Sequence, residues 1–140
     1  MDVKIVGQWE QGWDTPLLEY DRWIHPIREF NVQEFYMFPI SGISGLHVNE
    51  YRGIEDILNL KENEGYTKIY CDDKADTSLV EFQHPEKGMY IFGRTSSDSL
   101  PYKKDGDLCV KIPTLRNSGG FWAHQACSII LYDRYLKQLQ

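Results

Sequence analysis

One segment near the N-terminus carries side chains suited to acid–base chemistry. His25 lies three residues from both Arg22 and Arg28, so the three share roughly one face of a predicted helix, apart from a disturbance at Pro26. Histidine titrates near neutral pH and can act as a general base, while two arginines can hold a phosphate group. The alternative is a solvated helix surface. We treat His25, Arg22 and Arg28 as candidate catalytic residues.

Alternating strands and helices must position these side chains. Short apolar runs between Gly, Pro and polar loops predict strands at 3–8, 35–40, 67–71, 89–92 and 108–112, with a short edge element at 79–83. Helices are predicted from Pro16 to about Asn31, from 54 to about 64, and from 121 or 122 to Leu139. This order predicts one α/β domain over residues 1–140, with a mostly parallel sheet.

The first helix, the last helix and the strand ends each lead to a further expectation. Pro26 predicts a kink or break in the first helix. The last helix is predicted to bury an apolar face made by Ala126, Cys127, Ile130, Leu131 and Tyr135. Ligands of parallel sheets bind beyond the carboxyl ends of the strands, which indicates the loops after Cys71, Phe92 and Ile112.

The charge of the chain is unevenly distributed. In all, 15 basic and 21 acidic side chains give a net charge of −6, which disfavours nucleic acid because phosphate binding depends on Lys and Arg. Residues 1–90 carry 8 basic and 17 acidic side chains, net −9, whereas residues 91–140 carry 7 and 4, net +3. A local RNA contact by the C-terminal third therefore stays compatible with the composition.

The composition also bounds the class of protein. Aromatic residues make up 14% of the 140 residues, which is typical of a folded domain and not of a disordered chain. The three cysteines form no CxxC pair, so we predict no metal site and expect reduced thiols. The sequence shows neither a signal peptide nor a long apolar run. We therefore expect a cytoplasmic protein without a membrane segment.

A series of short motifs follows Lys87 in a fixed order. They are Phe92-Gly93, Leu100-Pro101, Ile112-Pro113, a Ser/Asn-bearing loop at 116–121, and Tyr132-Asp133. Their order and spacing resemble the C-terminal half of the SPOUT superfamily of RNA methyltransferases, most of all the SpoU-like branch that methylates ribose 2′-hydroxyl groups. The upstream strands and helices fit the same pattern in number and spacing.

The resemblance implies an α/β fold with a C-terminal trefoil knot, in which the last helix is threaded through a loop. It also implies a homodimer that binds S-adenosylmethionine and acts on tRNA or rRNA. By position, the residues that line the cofactor site are Tyr70, Cys71, Gly93, Ile112, Pro113 and Phe121. The alternative for each of them is an ordinary strand end or core position.

The sequence departs from the family at its catalytic side chains. His25 stands where the family has an arginine, Arg94 or Thr95 where it has a glutamate, and Trp122 near an asparagine position. Two hypotheses follow: an active 2′-O-methyltransferase that uses the region of His25, or a catalytically degenerate knotted module for binding or assembly. A flavodoxin-like domain for another ligand is a third, which requires the C-terminal resemblance to be accidental.

Overall fold

Six parallel strands form the centre of the protein. The structure, a computed structural model, describes residues 2–10, 16–94 and 99–140. The strands are β1 (Asp2–Gln8), β2 (Glu34–Phe38), β3 (Asn49–Glu50), β4 (Thr67–Cys71), β5 (Lys87–Phe92) and β6 (Leu108–Val110). The α-helices are α1 (Pro16–Glu29), α2 (Ile54–Leu58) and α3 (Ala123–Gln138), and single 3₁₀ turns lie at Lys61–Asn63 and Leu100–Tyr102.

The sheet has the strand order β3-β2-β1-β5-β4-β6, and each neighbouring pair is parallel. The central strand β1 places Ile5 beside Phe35 of β2 and Tyr90 of β5. Strands of parallel sheets are covered on both faces, which explains their nearly continuous apolar runs. The predicted α/β class and mostly parallel sheet are confirmed.

Two apolar clusters cover the two faces of the sheet. On one face, Trp23 of α1 and Cys127 of α3 lie in the same apolar cluster as Ile5, and the Trp23 ring packs against Phe35. Gly7 permits this close approach, because a Cβ atom there would lie 2.9 Å from the Trp23 ring. On the other face, Ile57 of α2 packs with apolar side chains of the strands. Within the described part of the chain, no helix has both the length and the apolar character needed to span a membrane.

Several element predictions need correction. Residues 79–81 form a turn and 82–83 are irregular instead of a strand, because Leu79 and Phe82 are buried in the apolar cluster that contains Cys127 and Leu131 of α3. Strand β6 ends at Val110, and beyond it Lys111 makes only an isolated bridge to Ser78. The two-residue strand β3 was not predicted, since its polar sequence shows no apolar alternation.

The helices also differ in detail from the predictions. Helix α1 continues through Pro26 to Glu29, and the proline is buried within it. Tyr135 is 47% exposed and lies outside the buried face of α3, because α3 turns that face toward the sheet with Cys127, Ile130 and Leu131.

The connection from β4 to β5 runs along the C-terminal half of α3. Lys137 donates hydrogen bonds to the carbonyls of Leu79 and Phe82. The buried Arg134 donates to the carbonyls of Pro85 and Glu86. Segment 72–86 is therefore fastened to the helix by main-chain acceptors, which do not depend on side-chain identity.

Candidate functional site

A cavity opens where β4, β5 and β6 end and α3 begins. Its walls are formed by Cys71, Asp72, Asp73, Phe92, Val110, Ile112, Thr114, Gly119, Phe121, Ala123, Ala126 and Ile130. Most of these side chains are apolar, and the charged ones are both aspartates. The carboxyl ends of parallel strands are the expected position for a ligand in this class of sheet. The cavity is therefore the candidate binding site.

The predicted cofactor-binding residues divide into two groups of three. Cys71, Ile112 and Phe121 line the cavity. Tyr70, Gly93 and Pro113 do not. Tyr70 points to the opposite face of the sheet, where its hydroxyl donates to the carbonyl of Tyr102 at 3.1 Å.

Gly93 and Pro113 come directly after Phe92 and Ile112, which do line the cavity. Gly93 directly follows strand β5, and Pro113 lies two residues beyond the bridge residue Lys111, at the same edge of the sheet. The sequence pattern located the edge correctly, but the side-chain alternation along each strand decides which residue faces the cavity.

Asp72 fixes the neighbouring loop to the end of β4. Its Oδ2 accepts hydrogen bonds from the backbone nitrogens of Ser99 and Leu100 at 3.2 and 3.1 Å, and its Oδ1 accepts one from Lys74 at 2.9 Å. The Ser99 hydroxyl donates to the carbonyl of Cys71 at 2.9 Å. These bonds hold the Asp72 side chain in place in the cavity wall.

Asp73 differs from its neighbour in having a buried oxygen without a partner. Its Oδ1 makes no hydrogen bond to any described residue, although such atoms are normally paired in folded proteins. Burial, and then the adjacent Asp72, raise the pKa of the Asp73 carboxyl. The sequence analysis indicated the loop after Cys71 but did not single out Asp73, whose only signal was its place two residues beyond the end of β4.

The three candidate catalytic residues lie along α1 but have different surroundings. The guanidinium of Arg22 lies over the Trp122 ring, 5.1 Å from its centroid, and Trp122 sits between two cavity-lining residues. His25 is 72% exposed, with its Nε2 3.7 Å from a carboxylate oxygen of Asp21. Arg28 borders a separate surface depression. The structure thus brings only Arg22 beside the cavity.

A second titratable group lies beside Arg22 at the start of α3. The Nε2 of His124 is buried and has no hydrogen-bond partner among the described residues. Its ring meets Trp23 and Trp122 edge to face, with centroids 6.3 and 5.4 Å away. Burial, and then the charge of Arg22, lower the pKa of His124. The His124 imidazole therefore favours its neutral form.

The positions that depart from the family's catalytic set are also visible. Arg94 follows Gly93 and is exposed, whereas Thr95 lies outside the described residues. Trp122 forms the surface beneath Arg22. Within residues 2–10, 16–94 and 99–140, no three His, Cys, Asp or Glu side chains are arranged to hold a metal ion. Burial raises the pKa of the Cys71 and Cys127 thiols, which makes both poor nucleophiles.

Sequence comparison gave no relatives for this chain. No protein-family model matches it, and no curated protein does. Solved structures of SpoU/TrmH RNA methyltransferases, in contrast, match nearly its whole length. The SpoU methyltransferase AviRb from Streptomyces viridochromogenes gives a TM-score of 0.74 at 10% identity over 99% of this chain, and it has also been solved with the cofactor AdoMet.

Two further structures agree. The TrmH/SpoU tRNA-modifying enzyme of A. aeolicus gives a TM-score of 0.76 at 12% identity over 99% of the chain. The AdoMet-bound rRNA methyltransferase of Sinorhizobium meliloti gives 0.73 at 8% identity, again over 99%. This chain spans 60%, 76% and 57% of AviRb, the A. aeolicus enzyme and the S. meliloti enzyme. At these identities the similarity shows the fold, which is the SpoU-type fold that the C-terminal motifs predicted.

Proposed function

We propose that the protein binds S-adenosylmethionine in the cavity at the ends of β4, β5 and β6. The observation that carries this proposal is an apolar cavity at that edge in a chain with the SpoU-type fold. The residues suit the group: Phe92, Ile112 and Phe121 offer an apolar slot for a purine, and Asp73 offers an unpaired buried acceptor for a polar part of the ligand.

We propose further that the protein is an RNA 2′-O-methyltransferase acting on tRNA or rRNA. Bound S-adenosylmethionine supplies an electrophilic methyl group. The apolar walls exclude water from it, and the backbone nitrogens of Ser99 and Leu100 hold the Asp72 side chain in the wall. The SpoU/TrmH enzymes with the same fold modify tRNA or rRNA, which supports this substrate class.

The side chains of α1 supply the proposed base and RNA contacts. Arg22, held over Trp122 beside the cavity, binds a phosphate of the RNA. His25 takes the proton of the ribose hydroxyl; its exposure leaves it accessible, and a carboxylate oxygen of Asp21 lies 3.7 Å from its Nε2. Arg28, one helical turn further along the same face, extends the phosphate-binding surface.

We propose a homodimer that places this face of α1 near a partner subunit. Support comes from large apolar side chains left exposed at the ends of α1 and α3. They are Leu17 (59% exposed), Leu18 (45%), Leu136 (41%) and Leu139 (66%). Light scattering tests this proposal: Leu136→Asp is expected to yield a monomer, while Leu115→Asp on an exposed loop leaves the dimer intact. A monomeric unmodified protein would contradict it.

Two lesser proposals complete the account. We propose that α3 is threaded through the loop formed by segment 72–86, giving the trefoil knot, and the bonds from Arg134 and Lys137 to that segment support the proposal. We also propose a cytoplasmic location, where an RNA substrate is available and the buried free thiols Cys71 and Cys127 stay reduced.

Calorimetry tests the cofactor proposal directly. The protein is titrated with S-adenosylmethionine and with S-adenosylhomocysteine, its demethylated product. We expect binding of both, and loss of both on Ala126→Phe, which fills the cavity. Gln138→Phe, at the far end of the same helix, serves as the matched control. Failure of the unmodified protein to bind either compound at millimolar concentration would overturn the proposal.

Methyl transfer distinguishes the active enzyme from the degenerate binding module. Total RNA is incubated with the protein and methyl-labelled cofactor, and ribose methylation is read as resistance of the labelled linkage to alkali. His25→Gln is expected to lower the rate about 100-fold without changing cofactor affinity, because a general base contributes to that extent. Lys61→Gln, at an exposed position of the 3₁₀ turn on the opposite face of the sheet, is the control. Cofactor binding without transfer to any RNA favours the binding module.

A further inference from the structure

The cavity has an unusual distribution of charge. Asp72 and Asp73 stand in its wall, and none of the described residues that line it is Lys, Arg or His. Buried charges in proteins are normally paired, because moving an ion out of water is costly. The cavity wall therefore carries negative charge that its own side chains do not balance.

The two aspartates are not equivalent. Both oxygens of Asp72 are used, since they accept hydrogen bonds from the backbone nitrogens of Lys74, Ser99 and Leu100. The side chain of Asp73 is only partly buried, but its Oδ1 is buried and accepts none from the described residues. Asp73 therefore has a carboxylate oxygen that is free to bind a ligand. Because Asp72 lies beside it, a cationic ligand group is favoured there over a neutral or anionic one.

We propose that Asp73 makes this cavity selective for a cationic ligand, so that it binds S-adenosylmethionine more tightly than the neutral demethylated product. This inference rests on the proposed cofactor site. S-adenosylmethionine carries a sulfonium charge that S-adenosylhomocysteine lacks, while both share the adenosine and the amino acid. The carboxylate of Asp73 thus distinguishes the loaded cofactor from the spent one by charge alone, which favours exchange after each methyl transfer.

The physical reasoning also predicts how Asp73 affects the empty protein. A carboxylate with an oxygen buried away from any cation or donor destabilises the fold, so removal of its charge is neutral or stabilising. Asp73→Asn keeps the shape and an acceptor oxygen while removing the charge. The variant should therefore bind the cationic cofactor less tightly while unfolding at the same temperature or a higher one. This combination separates a ligand-binding role from a structural role.

The experiment measures dissociation constants by calorimetry at pH 8 for the unmodified protein, Asp73→Asn and Asp105→Asn. Asp105→Asn removes the same charge from an exposed loop position. The ligands are S-adenosylmethionine, S-adenosylhomocysteine and sinefungin, an analogue with a cationic amine in place of the sulfonium. For Asp73→Asn we expect an affinity loss of about tenfold or more for both cationic ligands and less than about twofold for the neutral one. Asp105→Asn should change none of the three.

Each other outcome is decisive. An equal loss for all three ligands would mean that Asp73 contacts a shared group such as a ribose hydroxyl, which overturns charge selectivity. Unchanged affinities for Asp73→Asn overturn it as well. If the unmodified protein binds none of the ligands, the cofactor proposal itself fails, and this result is distinct from loss in the variant alone.

Discussion

Replacement of Glu19 by glutamine should stabilise the protein above neutral pH. Glu19 lies in the first turn of α1 with only 5% of its surface exposed. Its carboxylate oxygens accept a hydrogen bond from the backbone nitrogen of Glu10 at 3.2 and 3.3 Å. Burial outweighs this bond and raises the pKa of Glu19 from 4.5 to about 7. The folded protein therefore holds a proton on Glu19 that the unfolded chain releases at lower pH.

The size and sign of the effect follow from linkage. Between pH 4.5 and 7 the folded state binds more protons at this site than the unfolded state, so stability falls as pH rises through this window. The difference between the two pKa values corresponds to about 3 kcal/mol once pH exceeds 7. Glutamine keeps an oxygen that accepts the hydrogen bond from the Glu10 nitrogen. This bond is weaker than the bond to a carboxylate, which offsets part of the added stability. We expect Glu19→Gln to add about 2–3 kcal/mol at pH 8.

Urea unfolding at several pH values measures this difference. The advantage of Glu19→Gln over the unmodified protein should be largest at pH 8 and shrink toward zero at pH 4.5. Glu29→Gln, at the exposed end of the same helix, is the control and should show no such trend. An advantage that is absent at pH 8, or that grows toward acidic pH, would refute the burial argument.

Three other outcomes are expected. His84 is held at 2.7 Å by both Tyr90 and Asp133 and its pKa is lowered by burial, so its contribution to stability is present above about pH 6.5 and is lost as pH falls below that value. In urea unfolding, the free energy of unfolding of His84→Gln should accordingly fall less between pH 7 and acidic pH than that of the unmodified protein. Asp72→Asn should lose about 1–3 kcal/mol in the same assay, since the Ser99 and Leu100 nitrogens lose a charged acceptor. Arg22→Ala should weaken RNA binding in a filter assay without changing the cofactor dissociation constant.

The backbone of the site was predictable, but its side chains were not. Phe92-Gly93 stands at the end of β5 and Ile112-Pro113 lies just beyond β6 and its bridge residue Lys111, where Gly and Pro are typical because both interrupt regular strands. These positions located the cavity edge correctly. Side chains alternate between the two faces of a strand, and the side chains on the face that α3 covers line the cavity. The position of α3 is set by tertiary packing, which no local sequence pattern shows. Tyr70 was therefore expected at the cavity but packs on the opposite face.

The groups that sequence reasoning missed depend on burial by distant segments. Asp73 and Glu19 are ordinary polar residues in the sequence, and only packing by separate elements buries Glu19 and the Oδ1 of Asp73. Leu79 and Phe82 show the same limit, because their apolar character was evident while their partner, α3, lies about fifty residues away. Burial by segments that are distant in the sequence thus explains why 79–83 was wrongly predicted as an edge element. It also explains why Asp73 and Glu19 were not predicted as notable residues.

The two edges of the sheet differ in how completely their polar groups are satisfied. At the amino ends of the strands, His84 and Arg134 are paired with Tyr90, Asp133 and main-chain carbonyls. At the carboxyl ends lie the unpartnered atoms of Asp73 and His124 and the costly carboxylate of Glu19. Unsatisfied buried groups reduce stability, and in folded proteins they concentrate where a ligand completes them. A protein that served only in assembly would have no reason to keep these destabilising buried groups at the carboxyl ends of its strands alone. The asymmetry therefore favours a ligand-binding site at the carboxyl ends of the strands over a purely structural module.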